Sequence, residues 1–474
     1  MTTTSASWST LFRGPHPVYT VLLTLGVGVY AIGIHLIGTV LPSVVADIGG
    51  AAFYAWATML FTMASIIGTV CGGLVKATLG LRRGYLAGVL VVLAGWASCG
   101  VAPHMSVFLI ARAIQGFGSG LLVALAYSMV SEFYPEVLRP RVLSAISGIW
   151  GIAALVGPMV GGVFATSGWW RGAFWVVIPI LLLLGGLAWR ALPAVATHEA
   201  AGEFPALRLT LLGAGVLCVA VSGHVTPLSW RLLLLAGAVV LVGSAFRLDG
   251  QASKRLFPSQ PMSLRTPVGT AYWMFFLFGN TTSLITVFMP LFLYVLHGVS
   301  LLGAGYINAL LSMSWTVLAL GSAGLRDRQV RQAVVLGPLL MFCGVVSLRT
   351  YVTDGPILLI ALFVALTGAG IGLCFAHISS WTMAAAHAGE GTLTAASIPT
   401  VQSLGIAFGA AVGGLVANTA GLAQGVSPAT VAPAATWVLQ LGVVPPAAMV
   451  ILSGRLLWLH RGRKPRDHDN PAAV

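Results

Sequence analysis

Arg112 is a charged residue in an apolar setting, where its guanidinium needs hydrogen-bond partners. It lies in the segment LIARAIQGFGSG, inside an apolar run over 106–130. A charge at the centre of a bilayer costs about 2.5–3.5 kcal/mol on insertion scales, so its presence there predicts a use. Gln115 follows one helical turn later and can accept hydrogen bonds from the guanidinium. We expect Arg112 to contact helix carbonyls, Gln115, Asp47, water or the substrate itself.

Two histidines, His35 and His377, also fall at membrane depth. An imidazole has an ordinary pKa near 6.5, so either residue could take up and release a proton at physiological pH. The alternative for each is a packing role without titration. Glu132 and Asp47, at the ends of apolar runs, are weaker candidates for the same task.

Carboxylates are absent from the predicted membrane interior. All acidic residues fall in a loop, a tail or at the end of an apolar run: Asp47, Glu132, Glu136, Glu199, Glu203, Asp249, Asp327, Asp354, Glu390, Asp467 and Asp469. A cation desolvated beside Arg112 without a counter-charge would be strongly disfavoured. For any molecule that comes close to Arg112, the sequence therefore predicts a neutral, zwitterionic or anionic character, and aromatic residues in the apolar runs are compatible with a flat aromatic compound.

The elements that position these residues are membrane helices. Of 474 residues, 58% are hydrophobic and 7% are charged, and the mean hydropathy is +0.95. Continuous apolar runs of this kind indicate an all-α polytopic membrane protein rather than a β-barrel. The predicted spans number about fourteen and lie near 17–46, 52–76, 84–103, 106–130, 142–166, 172–192, 209–225, 231–246, 268–297, 301–324, 332–349, 355–386, 392–420 and 430–458.

The basic residues set a predicted orientation. With both termini in the cytoplasm, only Arg171, Arg231 and Arg349 of the 24 Lys and Arg residues fall in outer loops, which is the positive-inside pattern. The predicted plan is a six-helix half (1–192), a linker with an inserted helix pair (193–265), a second six-helix half (266–459) and a basic cytoplasmic tail (460–474). Removing the pair at 209–246 would leave twelve spans and the same orientation.

Two motifs give the chain a resemblance to a known family. RxxQGxGxG at Arg112–Gly120 resembles motif B of the major facilitator superfamily, and the segment around Gly157, Pro158, Gly161 and Gly162 resembles motif C, GPxxGG, of its drug:proton antiporters. The fourteen-span plan resembles the fourteen-helix antiporter branch. A Gly-Pro step kinks a helix and glycines permit close helix packing, which suits a gate. The alternative is ordinary small-residue packing.

A third motif, the loop from Gly73 to Arg83, resembles motif A but departs from it, because Ala77 stands where the family has an Asp. Arg82 and Arg83 are kept, as is Gly80. The corresponding loop of the second half keeps Asp327, Arg328 and Arg331, so we expect the cytoplasmic charge latch of the family in that half. The alternative is that both loops only set the topology.

The resemblance also implies which helices line the substrate path, namely the first and fourth of each half. On these helices the predicted substrate and proton pathway comprises His35, Thr39, Arg112, Gln115, Tyr127, Trp273, Asn280, Thr281, His377 and Trp381. The predicted gating residues are Gly73, Gly80, Arg82, Arg83, Gly157, Pro158, Gly161, Gly162, Asp327, Arg328 and Arg331.

The sequence thus predicts a monomeric secondary transporter of the bacterial inner membrane, working by alternating access. Its leading function is proton-coupled efflux of a small organic molecule, with no cofactor, metal or nucleic-acid partner. Uptake of a neutral or anionic metabolite, such as a flavin-type vitamin, is the alternative, as is facilitated movement without proton coupling. An enzyme or sensor is disfavoured, because the chain shows no HExxH pattern, no Cys/His cluster and no loop long enough for an output domain.

Overall fold

The computed structural model describes residues 16–135, 138–194 and 205–461. Within these ranges the regular structure is helical, with 3₁₀ turns at Ala51–Phe53 and Leu422–Gln424. The helices are α1 (His16–Ile48), α2 (Trp56–Val101), α3 (Met105–Phe133), α4 (Arg139–Thr166), α5 (Gly172–Trp175), α6 (Ile178–Ala191), α7 (Ala206–Ser222), α8 (Leu228–Gln251), α9 (Pro267–His297), α10 (Leu301–Ser322), α11 (Asp327–Tyr351), α12 (Ile357–Ala384), α13 (Gly391–Thr419), α14 (Pro428–Gly442) and α15 (Val444–Arg461).

Some of the predicted features lie outside the described residues. They are the basic tail after residue 461, the part of the linker at 195–204, and the acidic residues Glu136, Glu199, Glu203, Asp467 and Asp469.

Twelve apolar helical stretches in the described residues are long enough to cross a membrane. One of them, Ala51–Val101, contains α2 and has 51 residues, which at 1.5 Å per residue would be about two and a half times the thickness of a bilayer's hydrocarbon core. It is broken at Gly80, where φ is 74° and ψ is 167°. The break divides α2 into the two crossings expected at 52–76 and 84–103.

The inserted pair forms α7 and α8. α8 is among the twelve stretches, whereas α7 has 17 residues, a length of about 26 Å at 1.5 Å per residue, which is slightly short for a full crossing. The fourteen-span count therefore stays a prediction, while the polytopic helical fold is confirmed. α7 packs on α8 at Gly215 and Val242, and on α13 at Gly223 and Leu415.

The first half (α1–α6) and the second half (α9–α15) contact each other at one end of the molecule. We name this the outer end, because it carries the loops 49–55 and 298–300 that the charge pattern assigns to the outside, and the opposite end the inner end. At the outer end Tyr54 stacks on Phe288 with ring centroids 5.9 Å apart. Asn418 Nδ2 donates to the carbonyl oxygen of Ala52 at 2.7 Å. These contacts join the two halves at the outer end.

Candidate functional site

Arg112 lies two turns into α3, in the third of the helix nearest the outer end, where it is 1% exposed. Its Nε donates to the carbonyl oxygen of Ala57 at 3.2 Å, and one terminal nitrogen donates to the carbonyl oxygen of Gly33 at 3.5 Å. The other terminal nitrogen donates to Oε1 of Gln115. The guanidinium is thus bound by α1, α2 and its own helix, as the sequence predicted for carbonyls and Gln115.

Acidic side chains contact other partners. Asp47 accepts hydrogen bonds from Arg171 at 2.6 Å and from Trp170 at 3.1 Å, and Glu132 forms an ion pair with Lys76 at 2.7 Å. Among the described residues no carboxylate forms an ion pair with Arg112. The expectation that Asp47 could pair with Arg112 is therefore wrong for this conformation, because Arg171 occupies that carboxylate.

An aromatic wall stands next to Arg112. The guanidinium carbon lies 4.3 Å from the centre of the Phe61 ring, and that ring stacks on Tyr30 at 5.7 Å with 17° between the planes. Trp150 of α4 meets Tyr30 edge-on, also at 5.7 Å. The Tyr30 hydroxyl lies close to Ser65 in the first half and Ser403 in the second. Tyr30 and Trp150 are half-buried, whereas Phe61 is buried.

The glycines of motif B bring α3 against both parts of α2. A Cβ on Gly116 would lie 2.1 Å from the carbonyl oxygen of Phe61, and one on Gly120 would lie 2.0 Å from that of Ser65. A Cβ on Gly118 would reach Val92 N at 2.7 Å. These glycines are explained by close helix packing, which holds the backbone of α3 and α2 in place.

The glycines of motif C have two different partners. A Cβ on Gly157 would lie 2.7 Å from Cβ of His35, and one on Gly161 would lie 3.0 Å from the carbonyl oxygen of Leu36. A Cβ on Gly162 would instead lie 2.5 Å from Cα of Leu302 in α10. Gly157 and Gly161 are one turn apart and face α1, whereas Gly162 faces the second half.

Pro158 lies on the same side of α4 as Gly162. A Cβ on Gly305 of α10 would lie 2.9 Å from Cβ of Pro158 and 2.6 Å from Oγ1 of Thr39. Gly38 of α1 lies against the carbonyl oxygen of Thr286 in α9, at 2.9 Å from its would-be Cβ. We call this contact of α1 and α4 with α9 and α10 the outer seam.

The predicted histidines occupy different settings. His35 is half-buried beside Gly157, and its ring makes no hydrogen bond in the described part of the chain. His377 is also half-buried, and its Nε2 is buried without a partner among the described residues. Both imidazoles thus retain a nitrogen that could bind a proton or a ligand.

The remaining pathway residues are spread along the second half and the inner end. Asn280 is 7% exposed, and Thr281 donates to the carbonyl oxygen of Leu277 in its own helix. Two predicted aromatic residues lie near the inner ends of their helices: Trp273 donates to the carbonyl oxygen of Met262 at 3.0 Å, and Trp381 stacks on His460 at 4.2 Å. Tyr127, on α3 towards the inner end, is 46% exposed. These residues do not form one cluster with Arg112.

The motif A loop of the first half is held by contacts that its sequence did not predict. The guanidinium of Arg82 lies over the Trp189 ring of α6 at 4.2 Å, and Arg83 is exposed. A Cβ added at Gly73 would meet no atom of the described residues within 4 Å. The three charged residues expected to form the latch of the second half are all exposed at the inner end: Asp327, Arg328 and Arg331.

Sequence reasoning missed the residues that act through contact alone. Phe61 and Trp150 gave no signal because a ring in an apolar run resembles any packing residue. Asn308 of α10 was also missed; it is buried in the outer seam, where Nδ2 donates to the carbonyl oxygen of Thr286 at 3.3 Å and Oδ1 has no partner among the described residues. A buried amide in a predicted span was the signal available for Asn308.

Comparison with known proteins gives a family match over most of the chain. The family model of the Major Facilitator Superfamily matches residues 23–410. A probable multidrug-efflux transporter of Mycobacterium tuberculosis is 31% identical over 419 residues, which cover 84% of this chain and 87% of that protein. The multidrug transporter protein MdtP of Bacillus subtilis is 25% identical over 393 residues, covering 81% of this chain and 72% of that protein.

Solved structures agree with the fold. A peptide transporter POT, solved in complex with sulfate, has a TM-score of 0.66 and 15% identity, with 96% of this chain and 97% of that chain covered. The nucleoside transporter NupG has a TM-score of 0.61 and 11% identity, with 95% of this chain and 100% of that chain covered. At such identities the likeness shows the shared fold.

Proposed function

The chain belongs to the Major Facilitator Superfamily and is a multi-pass membrane transporter of small molecules, not an enzyme; on this premise we propose that it exports neutral or anionic, aromatic organic compounds in exchange for protons. Export is supported by the relatives that are named multidrug-efflux transporters and by motif C. We place the protein in a bacterial inner membrane as a monomer with both termini in the cytoplasm.

The charge class of the substrate follows from the surroundings of Arg112. The guanidinium is held by carbonyls and an amide, and these partners leave its positive charge uncompensated. A cationic compound near it would meet repulsion in a low-dielectric setting, whereas an anion would be attracted and a neutral ring tolerated. The observation that carries this proposal is the buried guanidinium, which forms no ion pair with a carboxylate of the described residues.

Proton coupling is assigned to His35 and His377. In the described membrane helices the carboxylates that could serve instead sit at helix ends, where Asp47 and Glu132 are bound to Arg171 and Lys76. His35 lies beside motif C, at the base of the outer seam, so its protonation could be linked to opening of the seam. The outer seam is closed in this conformation, so export by alternating access would require it to open.

Transport in oriented membranes tests the direction and the charge class together. Everted vesicles that contain the protein should accumulate a neutral or anionic aromatic dye when their lumen is made acidic, and right-side-out vesicles should extrude it. Neutral, anionic and permanently cationic dyes of matched size are then tested as competitors of this transport. The neutral and anionic dyes should both compete more strongly than the cationic ones. Tight competition by the cationic dyes alone would contradict the charge class, and accumulation only in right-side-out vesicles would indicate uptake.

A further inference from the structure

We propose that the Phe61 ring is a shield that limits the contact of anionic substrates with Arg112. Removing the ring should then increase the preference of the transporter for anionic over neutral substrates. This inference rests on the proposed export of neutral and anionic aromatic compounds. It concerns a residue without charge or hydrogen-bonding atoms in its side chain, whose position alone gives it a role.

The first step is the cover over the guanidinium. The Phe61 ring centre is 4.3 Å from the guanidinium carbon, and Arg112 is 1% exposed while carrying a full charge. The hydrogen bonds to Ala57, Gly33 and Gln115 occupy the edge of the guanidinium, whereas Phe61 occupies a face. A ring on that face keeps water and ligands away and contributes a cation–π attraction.

The second step is the order of the layers. The Phe61 ring also stacks on Tyr30, which is half-buried and in turn meets the half-buried Trp150. Tyr30 and Trp150 are therefore the more exposed rings, and Phe61 with Arg112 forms the layer behind them. A flat substrate can stack on the accessible rings without contacting the charge.

The third step is that close helix packing holds the backbone of Phe61 in place, whereas its ring is held only by contacts between side chains. Gly116 lies against the carbonyl oxygen of Phe61 so closely that an added Cβ would be 2.1 Å from it. Gly33 of α1 leaves its own side of the ring without a side chain, since a Cβ there would be 3.5 Å from both Phe61 Cζ and Gln115 Nε2. Rotation of the Phe61 side chain is thus the motion that would expose Arg112 with the helices in place.

The Nε2 atom of Gln115 supports a ligand-facing role for this layer. It is buried and has no hydrogen-bond acceptor among the described residues, while Oε1 of the same amide is held by Arg112. An anion that replaced the Phe61 ring would meet the guanidinium and lie close to this unpaired donor. Both groups are donors, so the exposed layer would select negative charge.

The experiment compares a naphthalene carboxylate with its neutral carboxamide, which share shape and ring. Their Kd values are measured by calorimetry with the purified full-length protein, and flux of both is measured in proteoliposomes. The measured quantity is the ratio of the carboxamide Kd to the carboxylate Kd. In Phe61→Ala this ratio should be about tenfold higher than in wild type, which is the effect of one charge-assisted hydrogen bond. Phe61→Leu, which keeps an apolar cover, should shift the ratio much less.

Two controls make the result specific. Phe408→Ala removes a ring that packs on Phe276 in the second half at 5.4 Å, and it should leave the ratio unchanged. Adding Arg112→Gln to Phe61→Ala should abolish the gain for the carboxylate. If Phe61→Ala is not recovered in folded form, Phe61→Val removes less volume and carries the same test.

The failures can be told apart. An unchanged ratio in Phe61→Ala or Phe61→Val, or a gain that survives loss of Arg112, would overturn the shield while leaving the proposed function standing. Wild-type protein that neither binds nor transports either compound, yet transports a cationic dye, would overturn the proposed function and the shield with it.

Discussion

At the scale of single residues, hydrogen bonds offset the cost of burying the charge of Arg112, which has no counter-charge in the part of the chain that the structure describes. Arg112 makes three hydrogen bonds to Ala57, Gly33 and Gln115. Hydrogen bonds to charged groups contribute about 1.5–3 kcal/mol each, which together exceed an insertion cost of about 2.5–3.5 kcal/mol. The guanidinium therefore stabilises the packing of α1, α2 and α3 in addition to any role in transport.

This balance predicts the effect of removing the charge. Arg112→Met should lower the stability by at least about 1 kcal/mol, because the lost hydrogen bonds outweigh the relief of burying a charge. Arg112→Lys keeps the charge and its burial cost but loses the planar fork that reaches three partners, so it should also be less stable than wild type. Thermal unfolding in detergent checks the order, and a methionine variant more stable than wild type would contradict it.

The residue scale also shows what sequence reasoning can reach. Arg112 and Gln115 were predicted as partners because a charge in an apolar run has few options, and the structure pairs them. Phe61 could not be predicted, since nothing in its type or spacing separates it from other rings in apolar runs. Trp273 and Trp381 were predicted for the pathway from their type and their helices; they contact Met262 and His460 near the inner end.

At the scale of elements, α4 is a helix with two glycine faces. Gly157 and Gly161 contact α1, and Gly162 with Pro158 contacts α10. The sequence offered gating or ordinary packing as alternatives for this motif, and the contacts are compatible with both, because close packing across the outer seam is what a seal requires. The partner of each glycine could not be predicted, since the sequence does not state how the halves are rotated.

The two-faced arrangement predicts a conformational shift. Gly162→Ala should open the outer end, because its Cβ would lie 2.5 Å from Leu302 Cα, whereas Gly151→Ala on the same helix meets nothing within 4 Å. Labelling of a cysteine placed at Asn308 by a membrane-impermeant maleimide, in a background without the native cysteines, reports the opening. Equal labelling rates in the two variants would argue against a seal at Gly162.

The break in α2 at Gly80 is a second feature at this scale, and Gly73 on the same helix provides a matched control. Gly80 has a φ of 74° and a ψ of 167°, a region that is essentially restricted to glycine and costs other residues about 1–3 kcal/mol. Gly80→Ala should therefore lower stability by about that amount. Gly73→Ala meets open space and should be tolerated, so equal unfolding temperatures for the two variants would be inconsistent with the strain.

The linker before α9 is tied to the second half through Glu390. Burial opposes ionisation of this carboxyl, but hydrogen bonds from the side chain and backbone of Ser259, with the charges of His387 and Arg255, lower its pKa below the ordinary value. A lowered pKa in the folded state stabilises the fold above the ordinary pKa of a glutamate, and this contribution is lost as the pH falls through the lowered value.

The corresponding prediction concerns acid stability. Glu390→Gln should lower the unfolding temperature at neutral pH, and the difference from wild type should shrink as the pH is lowered below the ordinary range of a glutamate. Unfolding measured in detergent over that pH range checks the sign. A difference that grows on acidification would show that Glu390 does not act through its ionised form.

At the scale of the whole molecule, the two halves meet at the outer end, and the inserted pair lies against them. α7 contacts Leu415 of α13 through Gly223, and His224 after α7 stacks on Phe53 of the first half at 4.6 Å. At the inner end Arg208 is bound to Asp249, which fastens α7 to α8. The pair thus braces the side of the molecule where α2 and α13 approach each other.

Much of this architecture was accessible from the sequence, because apolar length and charge bias are set by the bilayer itself. The helical polytopic fold and the superfamily were predicted and are confirmed. The residues of the pathway and the gates stay predictions, since their roles depend on a cycle of conformations. The closed outer seam is a property of one such conformation and leaves no trace in composition.

The most direct test of the central claim is proton-driven flux in proteoliposomes. Wild-type protein should move a neutral or anionic aromatic dye against its gradient when a pH gradient is imposed, and should move it only down its gradient without one. The double variant His35→Ala/His377→Ala should keep downhill flux and lose the response to pH. If the double variant keeps a flux that depends on the pH gradient, the assignment of proton coupling to these histidines is wrong.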